Sequence, residues 1–252
     1  MLKLKEINKS FGEDSSNKKI IFEKFNLEIK KGEFVTVIGG NGCGKSTLMN
    51  LISGSIFPKK GQIFIDDKDV TYVPEYKRAK VIGRVFQDPL KGTAPNLTVE
   101  ENLSLAFLKG EKKGLKFSIN KNEREILKEK LKLLNLDIEN RLNTKMGLLS
   151  GGQRQAITLL MATLKKPKIL LLDEHTAALD PKSSEKVLEI TKKVASDSEI
   201  TTLMITHNIK DSLKIGTRTI MLNRGKVAID LNGEYRKIMS YEKLQKLFED
   251  IN

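Results

Sequence analysis

Eight consecutive residues, Gly39-Gly40-Asn41-Gly42-Cys43-Gly44-Lys45-Ser46, read G-x-x-x-x-G-K-[ST]. The chemistry they suit is the holding of a polyphosphate. Glycines let successive backbone N–H groups turn inward as an anion nest. A helix that follows aims its positive end at the same point. The lysine reaches the β- and γ-phosphates, and the serine hydroxyl meets Mg²⁺. The flanks agree with this. The apolar run Phe34-Val35-Thr36-Val37-Ile38 predicts a buried strand before the loop, and the stretch to Asn50 predicts a helix after it. A dinucleotide fingerprint is a worse fit, because G-x-G-x-x-G does not occur here in register.

A phosphate loop of this kind needs a metal partner. The apolar run Ile169-Leu170-Leu171-Leu172 ends in Asp173-Glu174. A carboxylate at the mouth of a buried parallel strand sits beside the phosphate loop. Asp173 is therefore read as the Mg²⁺-side residue and Glu174 as the general base for an attacking water. A second cradle appears in Leu149-Ser150-Gly151-Gly152-Gln153, where a serine and two glycines open a helix. One nucleotide needs one such cradle, so the second is read as serving a nucleotide held by another copy.

With these residues in order, the sequence resembles the ATP-binding-cassette family over essentially its whole length. The resemblance implies an α/β fold: a P-loop NTPase with a RecA-like mixed sheet core, an N-terminal antiparallel β subdomain and an inserted α-helical subdomain. The whole chain, 1–252, is then a single domain, with 1–87 and 166–252 as catalytic core and 88–165 as the helical insert. The resemblance carries a nucleotide-binding role to Gly39, Asn41, Gly42, Cys43, Gly44, Lys45, Ser46 and Thr47, and from the second cradle to Ser150, Gly151, Gly152 and Gln153. Phe11 stands where an aromatic stacks on adenine. Gln87, in Phe86-Gln87-Asp88, falls where the family's glutamine senses Mg²⁺ and the γ-phosphate. It joins Ser46 and Asp173 around the metal, and Glu174 and His207 in catalysis. His207 matches the histidine that contacts the γ-phosphate. Asp180 closes Ala177-Ala178-Leu179-Asp180, which resembles the loop between the two sites of a dimer. One position departs from the pattern: the residue after the glutamate is often proline, and here it is His175, expected to pack or hydrogen-bond locally.

The cofactors implied are ATP and Mg²⁺. The partners implied are a second cassette (a homodimer), integral membrane permease subunits and a solute-binding protein, at the cytoplasmic face of the cell membrane. The segments Gly83–Pro89 and Asp173–Asp180 look like the branch tied to bacterial importers of amino acids, notably of the tryptophan/tyrosine type. An exporter, or a soluble cassette acting on DNA or ribosomes, is the alternative. Translation-type relatives usually carry two cassettes in a chain, and DNA-repair types carry long coiled-coil inserts.

These residues need elements to position them. Alternation predicts strands at Leu2–Leu4, Phe25–Ile29, Ile63–Ile65, Val81–Phe86, Lys168–Leu172 and Thr201–Thr206, and a hairpin around Arg224-Gly225. Polar loops are expected at Glu13–Lys19 and Lys109–Asn122. Helices are expected from Thr98-Val99-Glu100-Glu101, a capping box, to about Leu108; over Glu123–Leu136; over Gln153–Leu164; after Asp180-Pro181; and over Tyr241–Glu249. Strands alternating with helices predict a mostly parallel, covered sheet.

Composition bounds the rest. The chain has 252 residues, one cysteine and two histidines, which excludes an intrachain disulfide, and also a zinc site unless carboxylates fill in. No apolar run exceeds four residues, far short of a membrane span. No apolar segment of a secretory signal is visible at the N-terminus. The net charge is +13, from 45 Lys+Arg against 32 Asp+Glu, and is read as a solvated lysine-rich surface. The richer stretch Lys109–Lys132 has contact with anionic lipid as its other reading. No nucleic-acid partner is expected, since aromatics are 6% and tryptophan is absent.

Overall fold

The computed structural model describes residues 1–12, 18–108 and 120–251. Leu2, Leu4 and Ile7 are buried along β1 (Leu2–Phe11), which pairs antiparallel with β2 (Lys19–Ile29). Next comes β3 (Phe34–Gly39), buried from end to end, and α1 (Lys45–Ser53), which leaves the glycine loop. A short meander follows: β4 (Lys60–Ile65), β5 (Lys68–Asp69), α2 (Glu75–Arg78) and β6 (Ile82–Val85). The helical stretch holds α3 (Val99–Phe107), α4 (Lys121–Lys132) and α5 (Gly151–Thr163). Alternation then resumes with β7 (Ile169–Asp173), α6 (Pro181–Asp197), β8 (Thr201–Ile205) and α7 (Ile209–Ile215). The chain closes on β9 (Arg218–Asn223), β10 (Lys226–Leu231), α8 (Gly233–Lys237) and α9 (Tyr241–Ile251).

Two sheets result. One is antiparallel, in the order β2-β1-β4-β5; the other runs β10-β9-β3-β8-β7-β6 and is parallel except at β10. Its strands are covered on both faces, as their continuous apolar runs require. Val35, Val37, Leu171, Leu203 and Ile205 pack with Leu48, Leu51 and Ile52 of α1 and with the antiparallel sheet. Leu170, Leu172 and Met204 pack with residues of α5 and α6 on the other side. Parallel register aligns Val37 with Ile205, Ile205 with Asp173, and Leu172 with Val85. The segments that follow these strands, carrying the glycine loop, His207, Glu174 and Gln87, therefore leave the sheet along one edge.

The helix expected over Glu123–Leu136 is displaced. An Asn120–Glu123 capping box starts it earlier, and it ends at Lys132, with Asn135 in the left-handed region at φ 51°. The capping box at Thr98 forms as expected. Elements β5, α2, α7 and α8 are too short to show a period in the sequence. Residues 13–17 of the first expected loop and 109–119 of the second lie outside the described residues.

Arg78 shows how α1 is held. It is 1% exposed and donates to Leu51 O and Ile52 O at the end of α1, and to Thr71 O and Val73 O. Two of those carbonyls belong to the last turn of α1, which has no intrahelical partner for them. Burial lowers its pKa to about 10, so it remains charged at neutral pH. Arg78→Met strands buried acceptors at about 1–3 kcal/mol each. A urea unfolding curve should show at least about 3 kcal/mol of lost stability.

Candidate active site

The glycine loop has its shape because its neighbours leave no room for a side chain. Gly44 sits at φ 114° as the N-cap of α1, and a Cβ there would lie 2.8 Å from Phe22 Cζ. A Cβ on Gly39 would lie 2.4 Å from Leu222 O and 2.7 Å from Cys43 Sγ. The Gly225 N–H donates to Cys43 O at 3.1 Å and pins the far side of the loop. Among the described residues no side chain caps α1, so its first N–H groups face the loop unpaired. That is the electrostatic signature of an anion site.

Lys45 is 6% exposed, and its ammonium donates to Gly39 O at 2.7 Å and Gly40 O at 3.0 Å. These carbonyls stand in for anionic oxygens. A buried cation held by neutral acceptors gains by exchanging them for phosphate. Ser46 is exposed on the first turn of α1, and Thr47 follows half-buried. Asn41 and Gly42 are exposed, whereas Cys43 is a buried free thiol. Phe11 is 44% exposed at the end of β1, with Lys9 Nζ 5.1 Å from its ring centroid. It is paired in the ladder with Lys19, whose Nζ lies 3.4 Å from where a Gly42 Cβ would be. The aromatic thus stands near the loop.

Across the sheet edge, Asp173 and Glu174 are mostly buried, with side chains 19% and 15% exposed. Glu174 leaves the strand at φ 47°, with its N–H donating to Ile205 O. His207 Nε2 meets Glu174 Oε1 at 2.6 Å. His175 turns the other way: it is 1% exposed, with Nε2 3.0 Å from Thr191 Oγ1. The Thr191 hydroxyl donates to Val187 O, so it accepts from His175. Burial lowers the His175 pKa to about 4 and keeps the ring neutral. This histidine ties the strand end to α6 rather than facing the phosphates. Gln87 is exposed just beyond β6.

Ser46, Gln87 and Asp173 are a hard, oxygen-rich set. Among the described residues no group of three His, Cys, Asp or Glu side chains could hold a metal. A small set of protein oxygens suits Mg²⁺, which keeps waters and takes substrate phosphates as ligands. The residues present therefore fit that ion.

The second cradle is built by a capping box. Ser150 Oγ accepts from Gln153 N, and Gln153 Oε1 accepts from Ser150 N, both at 3.3 Å. Arg141 steadies Gln153, and Arg154 ties down the carbonyls of Met146, Gly147 and Leu149. Ser150 and Gly151 are exposed. The helix they open packs on α6, β6, α3 and α4. A Cβ on Gly152 would lie 2.8 Å from Ser183 Cβ, and one on Gly151 would lie 3.1 Å from Leu179 Cδ2. Ser183 also donates through its N–H to Asp180, and its hydrogen bonds hold the Asp180 carboxyl below its ordinary pKa. The two glycines thus do a packing job that the sequence reading missed.

The structure brings the loop, Asp173, Glu174, His207 and Gln87 to one edge of the sheet; the second cradle packs elsewhere. Sequence reasoning missed two further residues. Gln155 is fully buried on α5 and donates to Phe86 O, just before Gln87. Arg84 contacts Asp173; its only signal was a charge within an apolar strand.

The family model for the ABC transporter matches residues 22–177. The chain belongs to the ABC transporter family. It is an ATP-binding cassette, the ATPase of a transporter, with that family's P-loop fold. A tyrosine transport ATP-binding protein of Clostridioides difficile is 46% identical over 249 residues and 99% of both chains. The spermidine/putrescine import ATP-binding protein PotA of Haemophilus influenzae is 35% identical over 98% of this cassette, which spans 61% of that protein. Among solved structures, the dimeric post-hydrolysis cassette MJ0796 with ADP and Pi has a TM-score of 0.77 at 32% identity, covering 92% of this chain and 98% of its own. The cbiO1 cassette of Clostridium perfringens, part of the cbiONQ complex, has a TM-score of 0.80 at 25% identity, covering 98% and 93%.

The packing role of Gly152 is separable from any binding role. Gly152→Ala should cost about 1–3 kcal/mol by overpacking against Ser183. The double variant Gly152→Ala/Ser183→Gly should recover most of that loss in thermal or urea unfolding.

Proposed function

We propose that two copies of this cassette sandwich two ATP molecules and drive a bacterial importer of an amino acid, of the aromatic type. The observation that carries the dimer is the pair of cradles: the loop at Gly39–Ser46, and an exposed capping box at Ser150–Gln153 whose helix packs on α6. Each ATP is held between Lys45 of one copy and Ser150 and Gly152 of the other. Gly151 and Gln153 complete that edge, Phe11 takes the adenine, and Asp180 lies between the two sites.

In this reading Lys45 gives up the carbonyls of Gly39 and Gly40 for phosphate oxygens. Ser46, Gln87 and Asp173 would hold Mg²⁺, which supplies charge neutralisation at the phosphate oxygens. Glu174 takes the proton from the attacking water as the water oxygen bonds to the γ-phosphorus and the bond to ADP breaks. His207, hydrogen-bonded to that carboxylate, orients it.

Closure of the dimer is passed to permease chains at the seam between the core (1–87 and 166–252) and the helical part (88–165). A cavity of about 290 Å³ there, lined by Ala79, Ile82, Phe86, Gly92, Ala106 and Met161, supports this. Among the described residues no helix is long and apolar enough to cross a membrane; in this reading the permeases are separate chains, with the cassette at their cytoplasmic side. The tyrosine transport relative supports the solute class, and a solute-binding protein would deliver it.

Glu174→Gln should bind ATP but turn over at least about 100-fold more slowly, and should accumulate as an ATP-bound dimer on gel filtration. Wild-type turnover would remove Glu174 as the base. Mixing a Lys45→Ala copy with a Ser150→Arg copy tests the shared pocket. Each alone should be inactive, whereas the mixture should regain ATPase activity, because one pocket of the mixed dimer keeps both intact halves. No recovery would argue against pockets completed by the other copy.

A further inference from the structure

Arg84 is a cation set into the sheet. It lies in β6 opposite Leu171 of β7, on the face covered by α1, and its side chain is 13% exposed. Strand alternation puts Asp173 on that same face. Nη2 of Arg84 donates to Asn50 Oδ1 of α1 at 2.8 Å and lies 3.5 Å from Asp173 Oδ2. Nη1 reaches Ser53 Oγ at 3.3 Å and Glu75 Oε1 at 3.9 Å. The guanidinium rests 4.7 Å from the Phe86 ring centroid, and its buried Nε has no partner among the described residues.

The pattern of distances decides what this group does. Its shortest bond goes to Asn50, on the helix that leaves the phosphate loop, and its central carbon lies over the Phe86 ring. Position and orientation are thus set by α1 and Phe86, and Asp173 meets a cation already in place. A guanidinium is planar, permanently charged and costly to bury. An orphaned Nε adds to that cost, so stability alone would favour an apolar residue here.

We propose that Arg84 is a positioning residue for Asp173, fixing one carboxylate oxygen against the phosphate-loop helix and thereby setting the affinity of the metal site. The proposal rests on the reading of Asp173 as the metal-side carboxylate. Groups that orient a metal ligand typically contribute about tenfold or more in affinity. Because α1 carries both Ser46 and Asn50, Arg84 locks the two protein sides of the site to one helix.

The test counts free Mn²⁺ by electron paramagnetic resonance in titrations of the full chain with saturating ADP. Arg84→Met should weaken Mn²⁺ binding about tenfold or more, with ADP binding in EDTA unchanged. Arg84→Lys should fall between Arg84→Met and wild type. Asn50→Ala, which frees the guanidinium while keeping its charge, should weaken binding in the same direction. Asp173→Asn should abolish the tight Mn²⁺ site. If Asp173→Asn binds Mn²⁺ like wild type, the metal reading fails and the proposal falls with it. If Asp173→Asn loses the site while Arg84→Met keeps or tightens it, only the proposal is overturned. Should Arg84→Met fail to bind ADP in EDTA, the decision passes to the other two variants. Unchanged Mn²⁺ affinity in both Arg84→Lys and Asn50→Ala overturns it.

Discussion

A loop whose backbone N–H groups all converge on one point repels itself and keeps its form only when clamped from outside. Here the clamps come from three directions. Phe22 and Ile21 of β2 press on Gly44, Leu222 of β9 closes on Gly39, and Gly225, in the turn after β9, donates to Cys43. The antiparallel sheet therefore has a mechanical task. It forms one wall of the phosphate loop while presenting Phe11 beside it. Lys45 folds onto its own loop, donating to the carbonyls of Gly39 and Gly40.

The second constraint is register. Parallel pairing puts the ends of β3, β8, β7 and β6 side by side, so residues far apart in the chain become one row at the carboxyl edge, where ligands of open α/β sheets bind. In that row Glu174 meets His207 and Asp173 faces a cation fixed from below. His175 faces away, as a neutral imidazole bonded to Thr191. Two carboxylates in sequence thus have different surroundings because the backbone turns into the left-handed region at Glu174, where it leaves the strand.

The second cradle obeys a tighter geometric rule than anion binding alone would impose. Gly152 lets α5 approach Ser183, and Ser183 in turn bonds Asp180. The serine–glycine turn and the loop ending at Asp180 are thus packed together through Ser183. Gln155 extends the same helix to the carbonyl of Phe86, next to Gln87. These links join the helical part to the catalytic edge: Gly152 against Ser183, and Gln155 to Phe86 O at 3.3 Å.

Features governed by near neighbours were legible in the sequence: the phosphate loop between strand and helix, the capping box at Thr98, the helix opened by Ser150, the N-cap at Asp180 with Pro181, the buried strands and the hairpin at Arg224-Gly225. Each rests on hydrogen bonds or periodicities that span a turn or two of chain. The displaced ends of α4, the short helices, the packing duty of Gly152 and the placement of Arg84, Gln155 and His175 were settled only on folding. Arg84 reaches Asn50 and Asp173, and Gln155 reaches Phe86, across separations set by strand order and helix packing. A local pattern records how a residue treats its own helix or strand. Which distant residue it meets depends on how the sheet is ordered and how its faces are covered, and that is a property of the assembled core.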